Sequence, residues 1–165
     1  MPTPTFSDTI PPERLSATLK AVRKARNLKA KDVAAAMLMA SRSYERFEAG
    51  EGEFSFAKVR RFAEVTRSDP FGILFAVLIN SPGFAVSSAA NRLTPLFLLT
   101  LEEFDSDEGE GIALLDGTTI LRAFSDAFRT LAAEIARRKI VEPPDETPSD
   151  PSPPSPAVDD NPEDP

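Results

Sequence analysis

With 165 residues, the chain has room for one core, or for a small domain with an appendage. It contains neither Cys nor His. That removes disulfides, thiolate nucleophiles, Cys metal sites, the commonest general base and the commonest transition-metal ligand. The formal charge of −7 is unevenly spread: residues 1–79 carry 13 Lys and Arg against 9 Asp and Glu, whereas residues 80–165 carry 6 against 17. A basic first part and an acidic second part suit different partners.

Residues 1–11 begin Met-Pro-Thr-Pro-Thr, with no basic and apolar signal pattern, and read as a flexible arm. Pro12 to Arg26 carries Leu15, Leu19 and Val22 at helical spacing, with Pro12 in the first turn and Asn27 as a left-handed stop. Lys31 to Leu38 is a short second helix whose inner face is Val33, Ala34 and Met37. Ser41 to Ala49 forms the third after a tight turn, and Gly50 ends it. Ser55 caps a fourth helix that runs through Val65, with Phe56, Val59, Phe62 and Ala63 facing inward. Ser68-Asp69-Pro70 starts a fifth, to about Ile79, apolar nearly all round and therefore expected to be buried.

Ser81-Pro82-Gly83 reads as a break. A sixth helix is expected from about Ser88 to Phe104, with Leu93, Leu96, Phe97, Leu101 and Phe104 on one side and Pro95 starting or bending its regular part. Asp105 to Gly111 reads as an acidic loop. It faintly suggests a calcium loop, but with Asp105 at position one the twelfth position is Asp116 instead of the bidentate Glu, so no metal site is assigned. Thr118 to Val141 is the longest helix, striped by Ile120, Phe124, Phe128, Leu131 and Ile135, with Arg122 and Asp126 at i,i+4 on the polar side. Residues 142–165 hold nine Pro, eight Asp and Glu and no basic or aromatic residue. Such a tail cannot bury enough apolar surface to offset its ordering entropy and is expected to be disordered.

From Leu19 to Ala63 the chain resembles the phage-repressor helix-turn-helix family, also called Cro-like or XRE-type. The matching positions are Leu19, Arg23, Leu28, Val33-Ala34, Tyr44, Phe47, Glu48, Gly50 and Ala63, spaced without a gap. The resemblance covers residues 13–79. It implies a five-helix DNA-binding domain over residues 12–80; with the helical region read over 84–141, expected to mediate dimerisation or partner contact, and the disordered acidic tail over 142–165, the chain is expected to be all-α. The resemblance also implies that helix 3 enters the major groove, with Ser41, Arg42, Ser43 and Arg46 toward the bases. An Arg fork matches the O6 and N7 acceptors of guanine together. Lys29 and Lys31 become candidate phosphate contacts, which set affinity and register. Arg23 and Glu48 are expected to pair, tying helix 1 to the end of helix 3. Three positions depart from the family pattern. Ala30 stands where Gln is frequent, and Leu38 replaces the turn Gly, which implies a different turn or a longer helix 2. Glu51-Gly52-Glu53 fills a loop that is often basic. Two carboxylates near phosphates weaken binding, so a dimer or a partner protein is expected to help.

The expected function is sequence-specific transcriptional regulation, with double-stranded DNA as ligand, a homodimer or a protein co-regulator as partner, and no cofactor. The alternative keeps the fold as an antitoxin-like or adaptor module that grips a protein such as RNA polymerase. An enzyme finds little support, since no paired acidic motif sits on a rigid face. The longest apolar stretch, Phe71 to Ile79, is too short to span a bilayer, and the protein is expected in the cytoplasm.

Overall fold

The computed structural model describes residues 10–141. The expected tail, and all of the expected arm but Ile10 and Pro11, lie outside the described residues. Among the described residues there are eight α-helices, one 3-10 turn and no strand. In chain order they are α1 (Pro12–Ala25), α2 (Ala30–Ala36), α3 (Ser41–Glu48), α4 (Phe56–Thr66), α5 (Pro70–Leu78), α6 (Pro82–Asn91), α7 (Leu93–Glu108) and α8 (Gly117–Val141), with the 3-10 turn at Gly109–Leu114 between the last two. The chain divides into two compact units, the first ending at Ile112 and the second beginning at Ala113.

The core of the first unit draws on α1 through α6. Leu19, Met37, Tyr44, Phe62, Ile73, Ala76 and Ala85 are all fully buried. Each helix contributes a stripe at i, i+3, i+4 spacing, which suits the 3.6-residue period. Aromatic contacts tie the layers together: Phe47 meets Phe62 edge-on at 6.1 Å, and Phe56 on α4 meets Phe71 on α5 at 5.3 Å.

Helix ends show why the sequence folds here. Ser55 caps α4 by accepting from the Lys58 N–H, and Asp69 caps α5 by accepting from Phe71 and Gly72, with Pro70 in the first turn. The C-terminal ends of α1 to α5 share one device. In each, a left-handed residue lets its own amide and the next one bond back to the last turn: Asn27, Leu38, Gly50, Arg67 and Asn80. Glycine is obligatory at one of them. Gly50 has φ 76°, and a Cβ there would stand 2.2 Å from the Pro12 carbonyl oxygen.

The region after residue 80 departs from expectation. Ser81-Pro82 starts a helix instead of breaking the chain, because Pro suits the first helical position. The resulting α6 packs on α1 and α5 and buries Ala85 and Ser88. It stops at a left-handed Arg92, and α7 begins afresh at Leu93. One continuous helix from Ser88 would have lost a backbone bond at Pro95; the new start puts Pro95 in the first turn of α7. Asp105 to Gly111 is not a loop. Its first four residues finish α7 and the rest enter the 3-10 turn. In α5 the buried side is Gly72, Ile73, Ala76 and Val77, while Phe71, Leu78 and Ile79 remain exposed, so the expectation of all-round burial is corrected.

In the second unit Asp116 caps α8, accepting from the Thr118 and Thr119 amides and from the Thr119 hydroxyl. On this helix Asp126 pairs with Arg129 at 2.9 Å and not with Arg122, as the i,i+4 spacing had suggested.

Candidate nucleic-acid interface

The turn between α2 and α3 is set by Leu38. Helix 2 ends at Ala36 and does not run on; the Leu38 amide bonds to the Ala35 carbonyl and the Met39 amide to the Ala34 carbonyl. Leu38 thereby takes the left-handed conformation that the family gives to glycine, with φ 56° and 81% of its surface exposed. The chain reverses within four residues, and Ala40 starts α3.

Helix 3 is sharply two-faced. Tyr44, Phe47 and Glu48 are buried, whereas Ser41, Arg42, Ser43, Glu45 and Arg46 are exposed. The buried side is held by a charged network as well as by packing. The Arg23 Nε and NH2 groups donate to the two Glu48 carboxylate oxygens at 2.5 and 3.1 Å, and the Tyr44 hydroxyl donates to the same carboxylate at 2.8 Å. A further Arg23 nitrogen donates to the Leu28 carbonyl, so the guanidinium also braces the loop after α1. Both ion-pair side chains are largely buried, at 16% and 9% exposure.

These groups shift one another. Burial alone would raise Glu48, but the hydrogen bonds from Arg23 and Tyr44 outweigh it and hold the carboxyl below its usual range. Tyr44 is raised by burial and by its bond to Glu48. Arg23 is raised chiefly by its bond to Glu48. Near neutral pH Arg23 and Glu48 therefore stay charged and Tyr44 stays a neutral donor, and the bonded network ties α3 to α1.

The residues expected to meet nucleic acid stand as follows. Ser41, Arg42 and Ser43 occupy the exposed first turn of α3. Lys29 immediately precedes α2 and Lys31 lies in its first turn, both exposed. Arg46 is exposed too, but its Nε lies 3.2 Å from Glu51 in the following loop. This surface pair is solvent-accessible on both sides and contributes little stability. Its effect is electrostatic, since it places a carboxylate on an arginine of the outward face.

One residue escaped the sequence reading. Lys58, in the first turn of α4, lines the same open groove as Ser43, Arg46, Glu51 and Glu53. Nothing in linear spacing marks it, because the loop between α3 and α4 has to fold before Lys58 comes beside α3. The groove carries two cations and two carboxylates, so the basic character of the face depends on Arg42, Lys29, Lys31 and Lys58 once Arg46 is engaged.

Residues 14–70 match the family model of a helix-turn-helix domain. No curated protein and no solved structure matches the chain. Among the described residues no single helix is long and apolar enough to cross a membrane. The matched segment spans α1 to the start of α5 and contains the whole Arg23–Tyr44–Glu48 network and both faces of α3. Residues 14–70 are therefore a helix-turn-helix domain, of a build consistent with the phage-repressor, Cro-like type.

Proposed function

We propose that this protein is a sequence-specific DNA-binding transcriptional regulator that reads the major groove with α3 and performs no chemistry. The observation that supports it best is the division of α3: one face is locked to α1 by Arg23–Glu48, and the other leaves Ser41, Arg42, Ser43 and Arg46 outward. A rigidly seated short helix with an outward Arg is what direct readout of a base edge needs. Lys29 and Lys31 contact phosphate, and Lys58 extends that contact beyond α3. The protein acts in the cytoplasm as a homodimer on two half-sites roughly 34 Å apart, the usual geometry of such domains.

The Arg46–Glu51 pair favours a second reading. A loop that neutralises an arginine of the reading face suits an adaptor whose ligand is a protein. The two readings part in one experiment: selection of binding sites from random duplex DNA, followed by affinity measurements across a salt series. A regulator enriches one site and loses affinity steeply as salt rises. Arg42→Ala is expected to lower discrimination at one base pair by about 1–3 kcal/mol, while Lys31→Ala lowers the salt slope by about 1 and leaves site preference intact. Failure to enrich any site would sink the regulator reading and favour the adaptor.

A further inference from the structure

We propose that Glu45 reads a cytosine on the base pair next to the one that Arg42 reads, so that the preferred half-site carries a guanine and a cytosine on neighbouring steps. This rests on the regulator reading and names the class of sequence that α3 selects. Two observations carry it. Arg46 is engaged, its Nε lying 3.2 Å from Glu51 in the loop behind α3. Arg42 and Glu45 are exposed, and among the described residues neither charged group has a hydrogen bond or an ion pair within the protein. They are the two long side chains of α3 left to a ligand; the other exposed residues of its first turn, Ser41 and Ser43, are short.

Geometry sets the spacing. Three residues along an α-helix correspond to a rotation of about 60° and a rise of about 4.5 Å. Base pairs stack about 3.4 Å apart, so a helix lying in the major groove brings Arg42 and Glu45 to neighbouring steps. The backbone that carries Glu45 is firmly seated. Tyr44, immediately before it, is fully buried and donates to Glu48 at 2.8 Å, and Glu48 is held to α1 by Arg23. Chemistry sets the base. A carboxylate only accepts. In the major groove guanine shows two acceptors and thymine one, and adenine sets an acceptor beside its amino group; cytosine alone shows a donor with no acceptor next to it. Phosphates repel a carboxylate as well. Glu45 therefore selects cytosine by attraction and rejects guanine and thymine by repulsion, and both effects contribute to specificity. Arg42 selects guanine for the converse reason, since its fork only donates.

The test is site selection from random duplex DNA by the full chain and by its Glu45→Ala, Glu45→Gln and Arg42→Ala variants. All three substitutions fall on exposed positions, and circular dichroism on each checks that the fold is kept. The wild type is expected to enrich a site with guanine next to cytosine. Arg42→Ala is expected to relax the guanine and keep the cytosine. Glu45→Ala is expected to lower the preference for cytosine by about tenfold and keep the guanine. Glu45→Gln is expected to move that preference from cytosine to adenine, because an amide pairs with N6 and N7 together. On duplex DNA without the site, both Glu45 variants are expected to bind more tightly than the wild type, since a like charge has gone. A solvated Glu45 with no reading role would show this gain and leave the selected sequence unchanged. That result, or a wild-type site with no cytosine beside the guanine, overturns the proposal and leaves the regulator reading standing. A wild type that enriches no site at all overturns both.

Discussion

Leu38 holds a left-handed backbone at the turn between α2 and α3 and exposes 81% of its surface. An L-residue with a Cβ is disfavoured there by roughly 1–2 kcal/mol, and so exposed a side chain gives little packing in return. Leu38→Gly is therefore expected to stabilise the domain by about 1 kcal/mol, seen as a rise of about 4–8 °C in the thermal midpoint. Gly50 has the opposite sign. A methyl there would run into the Pro12 backbone, so Gly50→Ala is expected to lose more than about 2 kcal/mol in the same melt. The Arg23–Glu48–Tyr44 network makes stability depend on pH. Glu48 is held below its unfolded value, so its contribution is present above about pH 4.3 and is lost as pH falls through the folded pKa. Tyr44 is raised, so its contribution is present below about pH 10 and is lost as pH rises through its folded pKa. Denaturant titrations at pH 7 and pH 3 are expected to show a loss at low pH that Glu48→Gln largely abolishes. That variant should already be weaker at pH 7, by about 3 kcal/mol, the lower end for breaking a buried pair.

At the scale of elements, α3 and the loop behind it act as one electrostatic unit. Glu51 sits on Arg46 and Glu53 lines the same groove. Under the regulator reading, Glu51→Gln frees Arg46 for phosphate or base and removes a like charge from the path of the DNA backbone. Affinity for the selected site is expected to rise several-fold and the salt slope to steepen by about 1, while the melting temperature hardly moves. An unchanged slope would show that Arg46 does not reach the DNA. Contact between α5 and α6 is of another kind, built on small residues. Gly72 is tightly enclosed, since a Cβ on it would lie 2.8 Å from the Ser88 hydroxyl. That close approach lets α6 lie against α5 and bury Ala85 in the common core.

At the scale of the molecule, the packing of α6 on α1 and α5 means that the core does not close at residue 80. A chain ended after Ser81 would expose the faces of Ile73, Ala76 and Val77 that α6 helps to bury. It is expected to melt at a markedly lower temperature than a chain ended after Ile112, or to fail to fold. Equal melting temperatures for the two would show that α1 to α5 suffice. The uneven charge works at this scale as well. The basic residues gather before residue 80 and the acidic ones after it. Screening over a Debye length of roughly 8 Å lets a basic face attract DNA although the whole chain is net negative.

Local chemistry made much of the first 80 residues legible. Capping by Ser55 and Asp69, the left-handed stops at Asn27 and Gly50, and apolar residues at helical spacing each act within a few residues of chain, so they can be read in one dimension. The pairing of Arg23 with Glu48, which joins α1 to α3 in the structure, was legible only through resemblance to a family. The loop-borne carboxylate on Arg46, the approach of Lys58 to α3 and the use of Pro82 to open α6 were not legible. Pro marks the end of one helix and the start of another equally well, and what decides is whether the following residues find a surface to bury against. Here Ala85 and Ser88 find it on α1 and α5. Sequence alone thus determined that the segments of α1 to α5 are helices and which face of α1 to α4 is apolar, because propensity and periodicity are local. Tertiary structure decided where the core closes and which charges meet on the exposed face of α3, because burial and Coulomb interaction depend on distances that only folding sets.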